Sequence, residues 1–170
     1  MRTYIALLRA VNVGGSGKLA MDDLVALCTA AGFREVRTYI ASGNVVFSSR
    51  AAEKTIKATL EEQLAARVGK PVGVLVRTAA ELQAVLAANP FPLAAANRTV
   101  AIFLDAAPPA DTLSRVSGLG AEEIRLGKRE IYVHYGAGMA VSKLKIAAAQ
   151  AGTALNMNTV ARLAVMASGR

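Results

Sequence analysis

Arg9, Asn12, Gly14, Gly15 and Lys18 share one polar stretch, Arg9-Ala10-Val11-Asn12-Val13-Gly14-Gly15-Ser16-Gly17-Lys18, directly after the apolar run from Tyr4 to Leu8. A strand followed by glycines, an amide and two cations, and then by a helix, can turn backbone N–H groups and a helix N-terminus toward a phosphate or carboxylate. The spacing is not that of a Walker motif, and only Gly15-Ser16-Gly17 resembles part of the dinucleotide fingerprint. The same glycines equally suit an ordinary turn between strand and helix. A second polar group, Tyr39 with Ser42, Gly43 and Asn44, follows the next apolar segment and could add hydroxyl and amide donors around an oxyanion gripped by arginine. Its bland reading is turn chemistry.

The elements that must position these residues are readable from periodicity. Thr3 to Arg9 alternates as a strand, and Leu19 to Ala31 places Leu24, Leu27, Cys28 and Ala31 on one helical face, with Asp22 and Asp23 in the first turn and Gly32 at the end. Glu35 to Ile40 and Asn44 to Ser48 form a hairpin pattern. Ser48 or Ser49 is placed to cap a helix carrying Ile56, Leu60, Leu64 and Val68, which Gly69 stops, and Pro71 to Arg77 reads as a fourth strand. This βαββαβ order is a ferredoxin-like half over residues 1–77. In its 4-1-3-2 sheet the end of strand 1 and the turn between strands 2 and 3 share one edge, so the two polar groups converge.

Residues 78–98 read as a linker: the capping box Thr78-Ala79-Ala80-Glu81 opens a helix through Ala88, and Asn89-Pro90-Phe91-Pro92 ends it. Residues 99–170 read as a second, degenerate ferredoxin-like half. Its strands are Thr99 to Leu104, Glu122 to Leu126 and Glu130 to Tyr135, its last strand is missing or replaced, and helices over Ser142 to Ala151 and Asn158 to Ala167 close the chain. The expected fold class is therefore α+β, with tandem ferredoxin-like halves and additional C-terminal helices. Lys143, beside an expected helix start at Ser142, is a second candidate anion contact.

Other chemistry is sparse. Cys28 is the one cysteine and sits on an apolar helix face, which suggests a buried inert thiol. His134, between Val133 and Tyr135 in a strand, reads as structural, and with one histidine no Ser-His-Asp arrangement is legible. The carboxylates show no metal-ligand spacing, Glu61-Glu62 and Glu122-Glu123 look like solvated charges, and no cofactor is implied. Twenty Lys and Arg against twelve Asp and Glu give a net charge of +8, which favours a negatively charged partner, nucleic acid or a small anion. No apolar run approaches the ~18 residues of a membrane span and no leader is visible, so a cytoplasmic location is expected. Oligomeric state is not indicated.

The segments Tyr4 to Gly15, then Lys18, Met21, Leu24 and Gly32-Phe33, then Thr38 to Phe47, closely resemble the bacterial family catalogued as domain of unknown function 1697. Asn89-Pro90-Phe91, Ile131-Tyr132-Val133, Ser142-Lys143-Leu144 and Thr159-Val160 fall in that family's order. The resemblance implies tandem ferredoxin-like halves and no established activity. The chain departs from the family pattern at Ala10, and at Leu155 and Met157 around Asn156, where an arginine and a tryptophan are usual; this weakens a ligand role for Asn156, Asn158 and Thr159. Three functions stay open: a non-catalytic module for a nucleotide, RNA or phosphorylated metabolite, an enzyme acting on a small phosphorylated or carboxylated metabolite, and a protein-interaction domain. For RNA, Tyr4 and Phe47 on the central strands are the available stacking aromatics.

Overall fold

The computed structural model describes residues 1–9, 20–39, 43–136 and 142–168 of the 170-residue chain. Two compact units are present, residues 1–81 with 163–170, and residues 82–162.

In the first unit, β1 (Arg2–Arg9) takes a central place because the five residues from Tyr4 to Leu8 are apolar and all buried. A strand of that kind must be covered on both faces. It pairs antiparallel with β3 (Asn44–Ser49) on one side and β4 (Gly73–Thr78) on the other, and β2 (Arg34–Tyr39) pairs with β3, which gives the order β2-β3-β1-β4. Numbered along the chain, the strands run 4-1-3-2 across this sheet. Tyr4, Ala6 and Leu8 point to one face with Val45, Phe47, Val74 and Val76, and there they pack against α1 (Met21–Ala30) and α2 (Glu53–Val68) through Leu24, Cys28, Ile56, Leu60 and Leu64. The other face carries Ile5, Leu7, Val46 and Leu75, also buried, together with the guanidinium-bearing Arg77.

Local chemistry explains the element ends. Gly32 (φ +92°) and Gly69 (φ +87°) terminate the two helices in the left-handed region, as glycine permits. The capping box is formed in both directions: the Glu81 N–H donates to Thr78 Oγ1 at 3.1 Å, and the Thr78 N–H to Glu81 Oε1 at 2.9 Å, which opens α3 (Ala79–Ala87). The expected serine cap on α2 is not formed. Ser48 and Ser49 belong to β3, the helix begins after Ala52 with no side-chain cap, and Ser49 Oγ instead accepts the Ala51 N–H at 3.1 Å.

Glu61, expected to be a solvated charge, does structural work. Its Oε2 accepts the Val74 N–H at 3.1 Å and the Lys57 ammonium at 2.9 Å, while Lys57 Nζ also reaches the Val74 carbonyl at 2.6 Å. Val74 is registered against Leu8, whose own N–H points the other way, to the Gly43 carbonyl at 3.1 Å. The amide and carbonyl of Val74 therefore face outward from an edge strand, and α2 satisfies both.

In the second unit, β5 (Thr99–Phe103), β7 (Glu123–Leu126), β8 (Glu130–His134) and β10 (Thr153–Asn156) form an antiparallel sheet in the order β10-β5-β8-β7. β6 (Val116–Ser117) and β9 (Lys145–Ile146) pair only with each other. Two differences from the sequence reading appear here. A strand that it did not assign, Thr153–Asn156, pairs with β5. Ser142 to Ala151 is not an α-helix but an extended segment, β9, and a 3-10 turn over Ala147–Ala151. The alanine-rich stretch has helix propensity but little to bury as a helix, whereas Leu144 and Ile146 join the apolar cluster of Val100, Ile102, Val133 and Tyr135 when the chain runs extended. Close approach fixes that path: a Cβ on Gly118 would lie 2.0 Å from the Lys143 carbonyl oxygen, and one on Gly152 would lie 2.5 Å from that of Phe103.

α4 (Met157–Ala167) starts from β10, where Asn156 Oδ1 accepts the Thr159 N–H at 2.9 Å. Its C-terminal end groups with the first unit, and there Arg37 Nη1 donates to the Met166 carbonyl at 2.9 Å.

Candidate functional site

Strand register decides which polar residues of the first unit meet. Tyr39 is paired with Asn44 and Asn44 with Leu7, so these three lie side by side on β2, β3 and β1 and point to one face. Arg9 lies two residues beyond Leu7, on the same face and toward the same end. With strands ~4.8 Å apart and ~3.4 Å per residue, Arg9 and Tyr39 start from backbone positions about 12 Å apart. Arginine and tyrosine side chains span much of such a gap from its two sides.

The members differ in exposure. Arg9 is exposed and its stem lies along Gly73, whose added Cβ would sit 3.6 Å from the Arg9 Cβ. Tyr39 is half-buried, whereas Asn44 is 1% exposed and so frames the site from beneath. Gly43 closes the corner: with φ +83°, its carbonyl receives the Leu8 N–H, and a Cβ there would lie 3.0 Å from that of Leu8. Asn12, Gly14, Gly15, Lys18 and Ser42 lie outside the described residues. Arg77 was not among the sequence candidates, yet it is 1% exposed on this face, with Nη1 donating to the Val76 carbonyl at 3.1 Å. Its alternation with Leu75 in Gly73-Val74-Leu75-Val76-Arg77 was the signal that it points inward.

Lys143 belongs to the second unit and is exposed. The helix start that suggested it is not there. Ser142 precedes β9, its hydroxyl donates to Glu122 Oε2 at 2.8 Å, and the Gly120 N–H donates to Glu122 Oε1 at 2.7 Å. These bonds, the backbone one foremost, hold the Glu122 carboxyl below its usual range, so the neighbourhood of Lys143 carries a settled negative charge.

The remaining chemistry-bearing residues have structural places. Burial pushes the Cys28 thiol up to about 12, which leaves it protonated and inert. His134 packs against Phe91, ring centroids 5.8 Å apart, and the Arg125 guanidinium lies 5.8 Å from the centre of the same ring. The Tyr132 hydroxyl donates to the Val85 carbonyl at 3.0 Å and is pushed up to about 12, by burial first and then by the Glu130 charge. Among the described residues no three His, Cys, Asp or Glu side chains are grouped to hold a metal ion, and no helix is long and apolar enough to cross a membrane.

One expectation about aromatics is overturned. Tyr4 and Phe47 are 2% and 0% exposed, Phe47 stacks on Phe33 at 4.4 Å and on Tyr4 at 6.1 Å, and the Tyr4 hydroxyl donates to the Ala51 carbonyl at 2.9 Å. They build the core beneath α1 and α2 and are closed to nucleic-acid bases.

Comparison with known proteins agrees with the architecture and supplies no activity. The chain is similar to the structure of the conserved bacterial protein SP0830 from Streptococcus pneumoniae, with a TM-score of 0.82, 24% identity and coverage of 98% of each chain, a likeness that supports the α+β fold alone. No curated protein matches it significantly. The model of the family described as "Protein of unknown function (DUF1697)" matches residues 1–132, and the chain belongs to that family.

Proposed function

We propose that the protein is a non-catalytic module that binds a small anionic ligand, a nucleotide or phosphorylated metabolite, at the rim of the first sheet where Arg9 leaves β1. One observation carries this reading: the register that sets the exposed Arg9 on the same face and at the same end as Tyr39 and Asn44. Arg9 supplies a forked cation and Tyr39 a half-buried ring and hydroxyl. Asn12, Gly14, Gly15, Lys18 and Ser42, close in sequence to Arg9 or Tyr39, remain candidate contacts of the proposal; Lys143 is left out of it.

A small ligand is favoured over RNA. Recognition of single-stranded RNA on a four-stranded sheet uses aromatic side chains on an open face. Here the residues that β1, β3 and β4 place at the middle of the first sheet are buried on both faces, and the central aromatics lie within the core. A net charge of +8 attracts any polyanion and does not separate the two cases.

The same proposal takes the architecture as tandem ferredoxin-like halves, residues 1–77 and 99–170, joined by 78–98. Support comes from the strand orders: with β6 and β9 set aside, the second sheet runs fourth, first, third, second in chain order, as the first one does.

Calorimetric titration of the full chain with AMP, inorganic phosphate and an RNA hexamer, at two salt concentrations, tests the function. Saturable AMP binding that falls at least about tenfold in Arg9→Ala, with an unchanged circular-dichroism spectrum, is expected from the loss of one charge-assisted contact. Binding untouched by Arg9→Ala refutes the site. Turnover of the added ligand transfers the protein to the enzyme reading.

A further inference from the structure

At the opposite end of β1 lies a cleft of about 360 Å3 lined by Met1, Arg2, Tyr4, Ser49, Arg50, Ala51 and Ala52. Among the described residues its polar lining is cationic or hydroxylic, with no carboxylate. Arg2 is registered against Ser49, and Arg50 follows directly in the chain, so both guanidinium groups are delivered to one cleft by neighbouring strands. Both residues are exposed, and among the described residues neither side chain has a hydrogen-bond or ion-pair partner.

We infer that this cleft is a second anion site, for the dianionic phosphate of a small phosphomonoester. Two unpaired cations in one concavity repel each other and are relieved by a ligand of two negative charges, which a monocarboxylate does not supply. The planar forks of two arginines match the several oxygens of a phosphate. Hydroxyl chemistry limits what else can compete. Tyr4 already donates to the Ala51 carbonyl, while Ser49 Oγ accepts the Ala51 N–H and keeps its own O–H to donate, so the two arginines and this hydroxyl are the donors at the mouth. The start of α2, which has no side-chain cap, borders the cleft at Ala52 and adds N–H groups to the same rim. A neighbouring cleft, lined by Arg2, Thr3, Thr78, Ala79 and Ala80, is the poorer host, because the α3 start it borders is already satisfied by the reciprocal Thr78 and Glu81 bonds. The volume lies within the lower part of the range of small-molecule sites and leaves room for a small organic group beside the phosphate.

The test is a titration of the full-length 15N-labelled protein with inorganic phosphate and with glycerol 3-phosphate, using acetate at matched ionic strength as the monoanion control. Saturable shifts of the amides from Ser49 to Glu53 with both phosphates, and none with acetate, are expected. Arg2→Ala and Arg50→Ala are each expected to weaken binding at least about tenfold, Arg50→Lys less, and Arg9→Ala to leave these shifts unchanged. The last arm separates this site from the one at the other rim. Shifts that do not saturate, that acetate reproduces, or that survive Arg50→Ala overturn the assignment.

Discussion

Replacing Glu61 by alanine tests the claim that α2 closes the edge of the first sheet. The carboxylate accepts the Val74 N–H at 3.1 Å and holds Lys57, whose ammonium reaches the Val74 carbonyl at 2.6 Å. A charge-assisted hydrogen bond contributes about 1.5–3 kcal/mol when dry. The side chains of Lys57 and Glu61 are 30% and 37% exposed, so solvent screening takes away roughly half of that, leaving an expected loss of about 0.8–1.5 kcal/mol. An ordinary i,i+4 surface pair without backbone contacts would lose only about 0.3–0.5 kcal/mol. Urea unfolding of wild type and Glu61→Ala gives the total. Hydrogen exchange at the Val74 amide locates it, with protection expected to fall about tenfold for each 1.4 kcal/mol lost. The variant also uncovers the Val74 N–H at the sheet edge, so its concentration-dependent self-association is expected to rise in light scattering. A stability loss under about 0.5 kcal/mol with unchanged Val74 exchange would refute the reasoning and reduce the pair to surface decoration.

Asn156→Ala should destabilise the protein by about 1 kcal/mol, because its Oδ1 caps α4 through the Thr159 N–H, while Asn156→Asp keeps most of the stability and anion binding is unaffected by either; lost binding at unchanged stability would return this residue to a ligand role. The buried Cys28 should resist a thiol reagent until the protein is denatured. Its pKa is raised in the folded state, so the folded form holds its proton longer, and the stability it contributes is whole below about pH 9 and lost as pH rises toward about 12. In that window unfolding free energy should drop by up to about 1.4 kcal/mol per pH unit for this group. A Cys28→Ala protein should lack that share of the slope in alkaline urea melts; an unchanged slope contradicts it.

The first 81 residues were largely readable because two periodicities alternate cleanly there. Leu24 and Cys28, and Ile56, Leu60 and Leu64, recur at helical spacing, while the five-residue apolar core of β1 announces a strand buried on both faces. The hairpin pattern around Gly43 set β2 beside β3, but it left open the register, which pairs Tyr39 with Asn44. What sequence could not convey were contacts that depend on which strand ends up at an edge. Glu61 looks like any helix-surface carboxylate until β4 is placed beside α2. Ser49 looks like a helix cap until β3 is seen to run through it. In the second unit, β6 and β9 are two residues each, too short to show any period, and the alanines from 147 to 151 favour a helix that tertiary packing of Leu144 and Ile146 overrides. Asn156 was noticed as part of a motif, but a strand had to be recognised before it before the residue could be seen as a cap.

Burial of both sheet faces has a consequence for where ligands can act. With Ile5, Leu7, Val46 and Leu75 inaccessible on one side and Tyr4, Phe47 and Leu8 on the other, the middle of β1 is closed to solvent, and among the described residues of that strand the polar chemistry in reach of a ligand lies at its two ends. β1 carries an exposed arginine at each end, Arg2 and Arg9, seven residues apart and therefore about 24 Å from backbone to backbone. At physiological ionic strength the screening length is about 8 Å, so charge neutralised at one rim is scarcely felt at the other. Two small phosphorylated ligands should then bind independently, each with the salt dependence of its own few contacts. A long polyanion lying across both rims would instead release the counterions of both at once and show a correspondingly steeper slope of affinity against salt. The salt slope, measured for a mononucleotide and for an oligonucleotide on the same protein, thus distinguishes two separate small-anion sites from one extended nucleic-acid track.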